Sequence, residues 1–524
     1  MGDYMLKKQK KFKTEDIETD SKNGNNSSNK SLVKSMEDNI SLIKNIFRND
    51  ETLIVRRFQN KRLAAAKCCV VYLDGMVNSE IVNENIIQPI LRNDLSEDIS
   101  CDHLLEELLY KVIVSNNVQM ENDINSIVST IAYGDTLLLL EEYDKGLVIN
   151  SKGWQTRAIT EPESERVVRG PREGFTESIL MNISLIRRKI KNPDLKIKFK
   201  EIGERTHTKT CICYIEGIAA DNILRELEKR LDEIEIDGIL DSGYIQELIR
   251  DAPFSPFETI GSSERPDVVA AKLLEGRIAL IVDGSPVVLT VPFIAAEIVQ
   301  SNEDYYNNYI FSSINRLFRA IAVFTSMSVP AIFLAIVTFH QEILPTPLLL
   351  SISASRQGVP FPTVLSMLLM LLVFDLLREA GTRMPAPIGQ AINIVGTLVL
   401  GQAAVEAKLV SAPIVIVTAL TGILILMNTK IIGAIIIFRS FMLLTASILG
   451  IYGFIFAFIL LILHLMSIRS FGVPYMMNAT TARHHNGQDV WIRAPWWSMT
   501  LRPKIIAARN LVRQSGSKNR RKPG

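Results

Sequence analysis

Through its first 300 residues the chain switches between helical and strand-like hydrophobic spacing, and between Ala320 and Ser467 charges become sparse and apolar residues dominate. Ser41-Leu-Ile-Lys-Asn-Ile-Phe has helical spacing. Cys68-Cys-Val-Val-Tyr-Leu-Asp-Gly is a short apolar run ended by a turn pair, which predicts a buried strand. Asp102 to Ser115 again reads as helix. Thr136-Leu-Leu-Leu-Leu-Glu-Glu-Tyr and Gly146-Leu-Val-Ile-Asn read as strands joined through Asp144-Lys-Gly. A second group follows: a helix over Thr176 to Lys191 stopped by Asn-Pro-Asp, a strand at Thr210 to Ile215, and an amphipathic helix from Ala220 to Ile234. Two strands then flank the Gly-Ser-Pro turn after Ile278. These elements predict a tail over 1–34, α/β subdomains over 35–150 and 151–300, a membrane region over 301–467 and a tail over 468–524. The expected fold class is a multi-domain α/β cytosolic region of two subdomains plus an α-helical transmembrane bundle. No long internal repeat is evident in the sequence.

Ala320 to Phe339 contains no charged residue. About 20 helical residues, at 1.5 Å each, cross a hydrocarbon core of roughly 30 Å. Spans are expected at about 320–339, 359–377, 409–427 and 443–465. Arg316 and Arg319 precede the first, Arg378 and Arg383 follow the second, and the tail beyond Ser467 carries eleven Lys/Arg against Asp489 alone. The positive-inside rule puts all three groups in the cytoplasm and requires an even number of crossings. The stretch 387–405 complicates the count. Gln390, Asn393 and Gln402 interrupt it, Glu406 closes it, and exposure of these amides to lipid is costly. It is therefore read as re-entrant or protein-buried. The alternative is a true span there, with an extra crossing in 431–441 around Arg439.

Charge and cysteine use narrow the function classes. The formal net charge of +2 gives no polyanion-binding bias, so nucleic acid is a poor partner. The five cysteines form no C-x-x-C pair and are expected as reduced cytosolic thiols, with Cys211 and Cys213 on one strand face. Residues 1–34 are rich in Lys, Asn and Ser without an apolar core. They read as a disordered tail rather than an export signal, which keeps the soluble region cytoplasmic. No nucleophile, base and orienter occur together and no metal spacing appears. Neither an enzyme nor a cofactor is expected.

Buried intramembrane charge usually faces a bundle interior or an aqueous path. Asp375, Gln390, Asn393, Gln402, Glu406 and Arg439 are the candidates for a polar lining. Pro330 can kink the first span. In the soluble region, Glu161-Pro-Glu-Ser-Glu and Arg169-Gly-Pro-Arg-Glu-Gly-Phe alternate turn residues with opposite charges. Anion capture at the following helix is one reading. The favoured one is a structural or interface clamp in which Arg169 and Arg172 pair with Glu161, Glu165 or Glu173.

Several of these runs resemble one known family. Gly153-Trp-Gln-Thr-Arg, Glu161-Pro, Arg169 to Glu177, Asn182, Arg187 and Arg188 closely resemble the GerA-type spore germination receptor A subunits. So do Thr210 to Ala219, Pro360-Phe-Pro, Leu377-Arg-Glu-Ala-Gly-Thr-Arg-Met-Pro and Gly396 to Val410. The resemblance covers about residues 50–490. It implies a multi-pass protein of the spore inner membrane that acts in nutrient-triggered germination. It also implies a transporter-like B subunit and a C-subunit lipoprotein as partners, and a homo-oligomer that conducts or gates ions. A paralogue that amplifies germination without sensing nutrients, or a stand-alone transporter, is the alternative.

Overall fold

The computed structural model describes residues 31–60, 67–92, 104–115, 117–153, 162, 165–384, 399–477, 489–499, 501, 502, 506 and 510–513. The chain forms two compact units, Met1–Gln155 with Lys191–Pro193, and Thr156–Ile190 with Asp194–Gly524. The first boundary thus falls at 155. The second α/β region and the helices beyond 300 belong to one unit.

In the first unit, α1 (Met36–Ile46) starts at Ser35, whose hydroxyl accepts from the Asp38 amide at 3.3 Å. Strands β1 (Leu53–Gln59), β2 (Lys67–Leu73), β3 (Val118–Glu121), β4 (Thr136–Leu140) and β5 (Gly146–Ile149) form an antiparallel sheet in the order β1-β2-β4-β5-β3. Helix α1 and α2 (Ile124–Ala132) cover Cys69, Val71, Leu137 and Leu139 on one face. Helical segments at 81–92 and 104–112 cover Cys68, Val70, Leu138 and Leu140 on the other. Successive strand residues point to opposite faces, and here both faces are dry. That is why β2 and β4 read as unbroken apolar runs instead of alternating.

The second unit contains α3 (Ile179–Lys189), β6 (Leu195–Ile202), β7 (Thr208–Ile215), α4 (Asp221–Asp232), α5 (Ser242–Ile249), β8 (Gly261–Ser263), α6 (Pro266–Leu274), β9 (Ile278–Val282) and β10 (Val288–Val291). The sheet order is β6-β7-β9-β10-β8, again antiparallel. Cys211 and Cys213 do share one face, packed with α3 and α6, while Ile212 and Tyr214 pack with α4 and α5.

The two sheets have the same strand order and the same helix placement, so the soluble region is a duplication, contrary to the sequence expectation. The identity survives in one short string. Asn39-Ile-Ser-Leu-Ile in α1 recurs as Asn182-Ile-Ser-Leu-Ile in α3. Asn39 grips the backbone six residues upstream, donating to Val33 O at 2.6 Å and accepting from Val33 N at 2.9 Å. Asn182 does the same with Thr176, at 2.6 and 2.8 Å. Helices α2 and α6 also end alike: Gly134 and Gly276 both follow them at φ 98°.

Among the described residues, five longer helices follow: α7 (Tyr309–Phe339), α8 (Thr363–Arg383), α9 (Ala412–Ile425), α10 (Ile432–Leu449) and α11 (Ile451–Ser467). Helix α7 and the stretch Ala412–Leu449 are each long and apolar enough to cross a membrane. That stretch is interrupted at Asn428 (φ −136°, ψ 66°), so the segment expected at 409–427 contains a helix of only 14 residues. Helix α7 runs through Pro330 without a break.

The single span expected at 443–465 is two helices. Gly450 sits at φ 60°, ψ −137°, ending α10 and starting α11. A Cβ on Gly453 would lie 2.1 Å from the Thr445 carbonyl oxygen, so the two helices meet backbone to backbone. Residues 432–441, where the alternative reading put an extra crossing, form the first part of α10. Of the segment 387–405, residues up to 398 lie outside the described residues, and 399–406 are helical.

Candidate functional site

Helical spacing places Leu371, Asp375 and Arg378 on one stripe of α8. Facing them, α10 presents Arg439, only 2% exposed. Arg439 Nη2 donates to Asp375 Oδ2 at 2.5 Å, and Arg378 Nη1 lies 3.5 Å from Asp375 Oδ1. One carboxylate therefore holds two guanidinium groups. Gln402 and Glu406 share a helical face, and Gln402 Nε2 donates to Glu406 Oε1 at 2.8 Å. Asp375, Gln402, Glu406 and Arg439 all line one cavity of about 820 Å³ whose remaining wall is mostly apolar. Gln390 and Asn393 lie outside the described residues.

A second charged cluster joins the soluble region to the helices. Asp304 accepts from Arg316 Nε at 3.2 Å and from Arg319 Nη2 at 2.6 Å. Arg316, fully buried, also donates to the Asp489 carboxylate and carbonyl, both at 2.8 Å. The start of α7 is thus tied to a residue beyond α11. Asp267 accepts from Arg265 at 2.9 Å, Tyr306 Oη at 2.7 Å and Asn302 Nδ2 at 2.6 Å. Burial raises the Asp267 carboxyl, but these hydrogen bonds outweigh it and hold the group below the usual carboxylate range. At the break between α9 and α10, Lys430 Nζ pairs with Glu165 at 2.9 Å. Burial opposes ionisation of Glu165, yet Lys430 and hydrogen bonds from Ser263 and the Glu264 amide keep it below the ordinary value.

The family profile described as Bacillus/Clostridium GerA spore germination protein matches residues 41–505. The chain belongs to this GerA family. Spore germination protein KA of Bacillus subtilis (strain 168) is 38% identical over 485 residues, covering 92% of this chain and 89% of that protein. Spore germination protein B1 of the same strain is 35% identical, covering 86% and 92%. The uncharacterized membrane protein YfkQ, also of that strain, is 37% identical, covering 84% and 86%. The crystal structure of the N-terminal domain of the A subunit of the Bacillus megaterium spore germinant receptor GerK3 aligns with 34% identity and a TM-score of 0.41. It covers 50% of this chain and 98% of that one.

In the segment that carries much of the GerA resemblance, Glu173 and Glu165 pair with side chains other than Arg169 and Arg172. Glu173 lies 3.2 Å from Arg188 Nη2 and 3.4 Å from Lys189 Nζ, both on α3. Glu165 takes Lys430 and accepts from Ser263 Oγ. Arg169 and Arg172 are exposed, and Glu161 lies outside the described residues. Donors from α3 lie beside Glu173, and Ser263 of β8 with Lys430 of the helix break lie beside Glu165. The sequence reading missed Arg265, Asp267, Asp304 and Lys430 as site residues. The only signal was an Arg-Pro-Asp at a helix start and a lone Lys between two apolar runs.

Proposed function

We propose that this GerA-family chain is the A subunit of a nutrient-responsive spore germination receptor, and that it forms or gates an ion-conducting oligomer whose ion flow triggers germination. The observation that carries this reading is the cavity between α8, α9 and α10. On otherwise apolar walls it brings the half-buried Asp375 and the buried Arg439 together with Gln402 and Glu406, which are exposed at its opening side. Charges so placed need water, an ion or each other.

In this reading the helices lie in the spore inner membrane and the duplicated α/β region in the cytoplasm. Two layers orient the bundle. Asn428 Nδ2 donates to Arg319 O at 3.1 Å near the soluble region. Leu334, Met367, Ile414 and Leu443 form a cluster in the far half. Helices α7 and α10 thus run outward while α8, α9 and α11 return, and α11 ends on the same side as the start of α7. A transporter-like B subunit and a C-subunit lipoprotein complete the receptor, and neither catalysis nor a cofactor is involved.

Deletion of the gene tests the assignment. Spores are scored for germination and ion release across a nutrient panel. A specific loss of response to some nutrients is expected. Unchanged germination and ion release with every nutrient would refute the role.

A further inference from the structure

A smaller cavity, about 310 Å³, opens where the second sheet meets the helices, within one compact unit. Its wall carries six Lys/Arg side chains and three Glu side chains. Lys272 and Arg277 share one carboxylate, Glu297, each at 2.9 Å. Arg277 is 4% exposed, and its Nε has no hydrogen-bond partner among the described residues. Burial drives the Lys272 ammonium below its ordinary value against the pull of Glu297, and the nearby Arg277 and Lys430 cations add to the drop. Crowded, partly dehydrated cations of this kind gain most from an added negative charge. Lys430 reaches the cavity from the α9–α10 break and is 44% exposed at its side chain, so it can turn from Glu165 to a bound group.

We propose that this cavity binds a small phosphate-type oxyanion, held by Lys272, Arg277 and Lys430. Arg265 and Arg319 are occupied by Asp267 and Asp304, which leaves Lys272, Arg277 and Lys430 to share Glu297 and Glu165. A phosphate group, with about −1.5 to −2 charges at neutral pH, suits that crowding. The volume admits inorganic phosphate or a short phosphate ester. The cavity adjoins the soluble ends of apolar helices, so the phosphate can come from solution or from a lipid headgroup. Binding transfers Lys430 from Glu165 to the anion and so alters the tie between the 165 loop and the helix break. The inference does not depend on whether the chain conducts ions.

The test uses the full chain purified in a maltoside detergent, which contains no phosphate. Inorganic phosphate and glycerol phosphate are titrated at constant ionic strength with chloride, and binding is read by calorimetry and by the shift in melting temperature. A third arm adds phosphatidylglycerol. Lys430→Gln removes the mobile cation, and Ala271→Leu fills the cavity from a half-buried wall position. Wild type should bind, and each variant should weaken binding roughly tenfold or more, as loss of a charge-assisted hydrogen bond does. Binding of the soluble probes assigns a free phosphate, and binding of phosphatidylglycerol alone assigns a headgroup. Elution and melting without anion identify folded variants, and Lys430→Gln decides alone if Ala271→Leu does not fold. Absence of binding by all three probes, or equal binding by wild type and folded variants, overturns the proposal.

Discussion

Asp267 shows how a single carboxyl can hold a junction. It is 8% exposed and accepts from the guanidinium two residues before it and from an amide and a phenol of the 302–306 segment. Replacing it with Asn leaves Arg265 buried without its counter-ion, at a cost of about 3 kcal/mol. Because its folded pKa is depressed, Asp267 stabilises the fold above its unfolded value of about 3.9 and loses that contribution as pH falls through the folded value. Melting of the detergent-purified chain should therefore decline below about pH 4, and Asp267→Asn should start lower and decline less. Equal melting temperatures for the two proteins across that range would show that the cluster is not stabilising. Asp375 and Arg439 pose the same problem in an apolar setting. Asp375→Asn should reduce accumulation of the protein in spores, while replacing Asp375, Arg378 and Arg439 together by Leu should restore it, because a buried ion cluster can be replaced by packing but not halved. Immunoblotting of spore membranes separates the two.

At the scale of elements, glycine geometry decides what hydropathy could not. The sequence window 443–465 is mostly apolar, with Thr445, Ser447 and His464 the exceptions, so a hydropathy reading fuses α10 and α11. The turn is encoded by Gly450 at positive φ and by Gly453, which has no room for a side chain. Gly453→Ala should shift the α10–α11 hairpin apart and lower the melting temperature of the purified protein, whereas Gly433→Ala, where a Cβ meets open space, should not. Equal melting for both would mean the close approach is not needed. Strands with both faces buried were legible as apolar runs, as β2, β4 and β7 show. Strand β6 was missed although Leu195, Ile197 and Phe199 alternate with lysines. The duplication was missed because only a five-residue string remains identical, while the fold preserves order and facing, which depend on pattern more than identity.

At the scale of the whole molecule, a duplicated α/β region precedes an apolar helical bundle with charges in its interior. The candidate lining was legible as rare polar residues in an apolar stretch; four of them line one cavity, with Arg439 buried and Gln402 and Glu406 exposed. The clamp partners were not legible, since Lys430 and Glu165 lie far apart in sequence and meet only through the fold. Junction contacts link the 165 loop, the start of α7 and the helix break. The most direct test of the central claim is ion release from nutrient-treated spores carrying Gln402→Leu or Glu406→Gln, with protein amounts checked. The account predicts altered ion release at normal accumulation. Wild-type ion release from both variants, at normal accumulation, would contradict it.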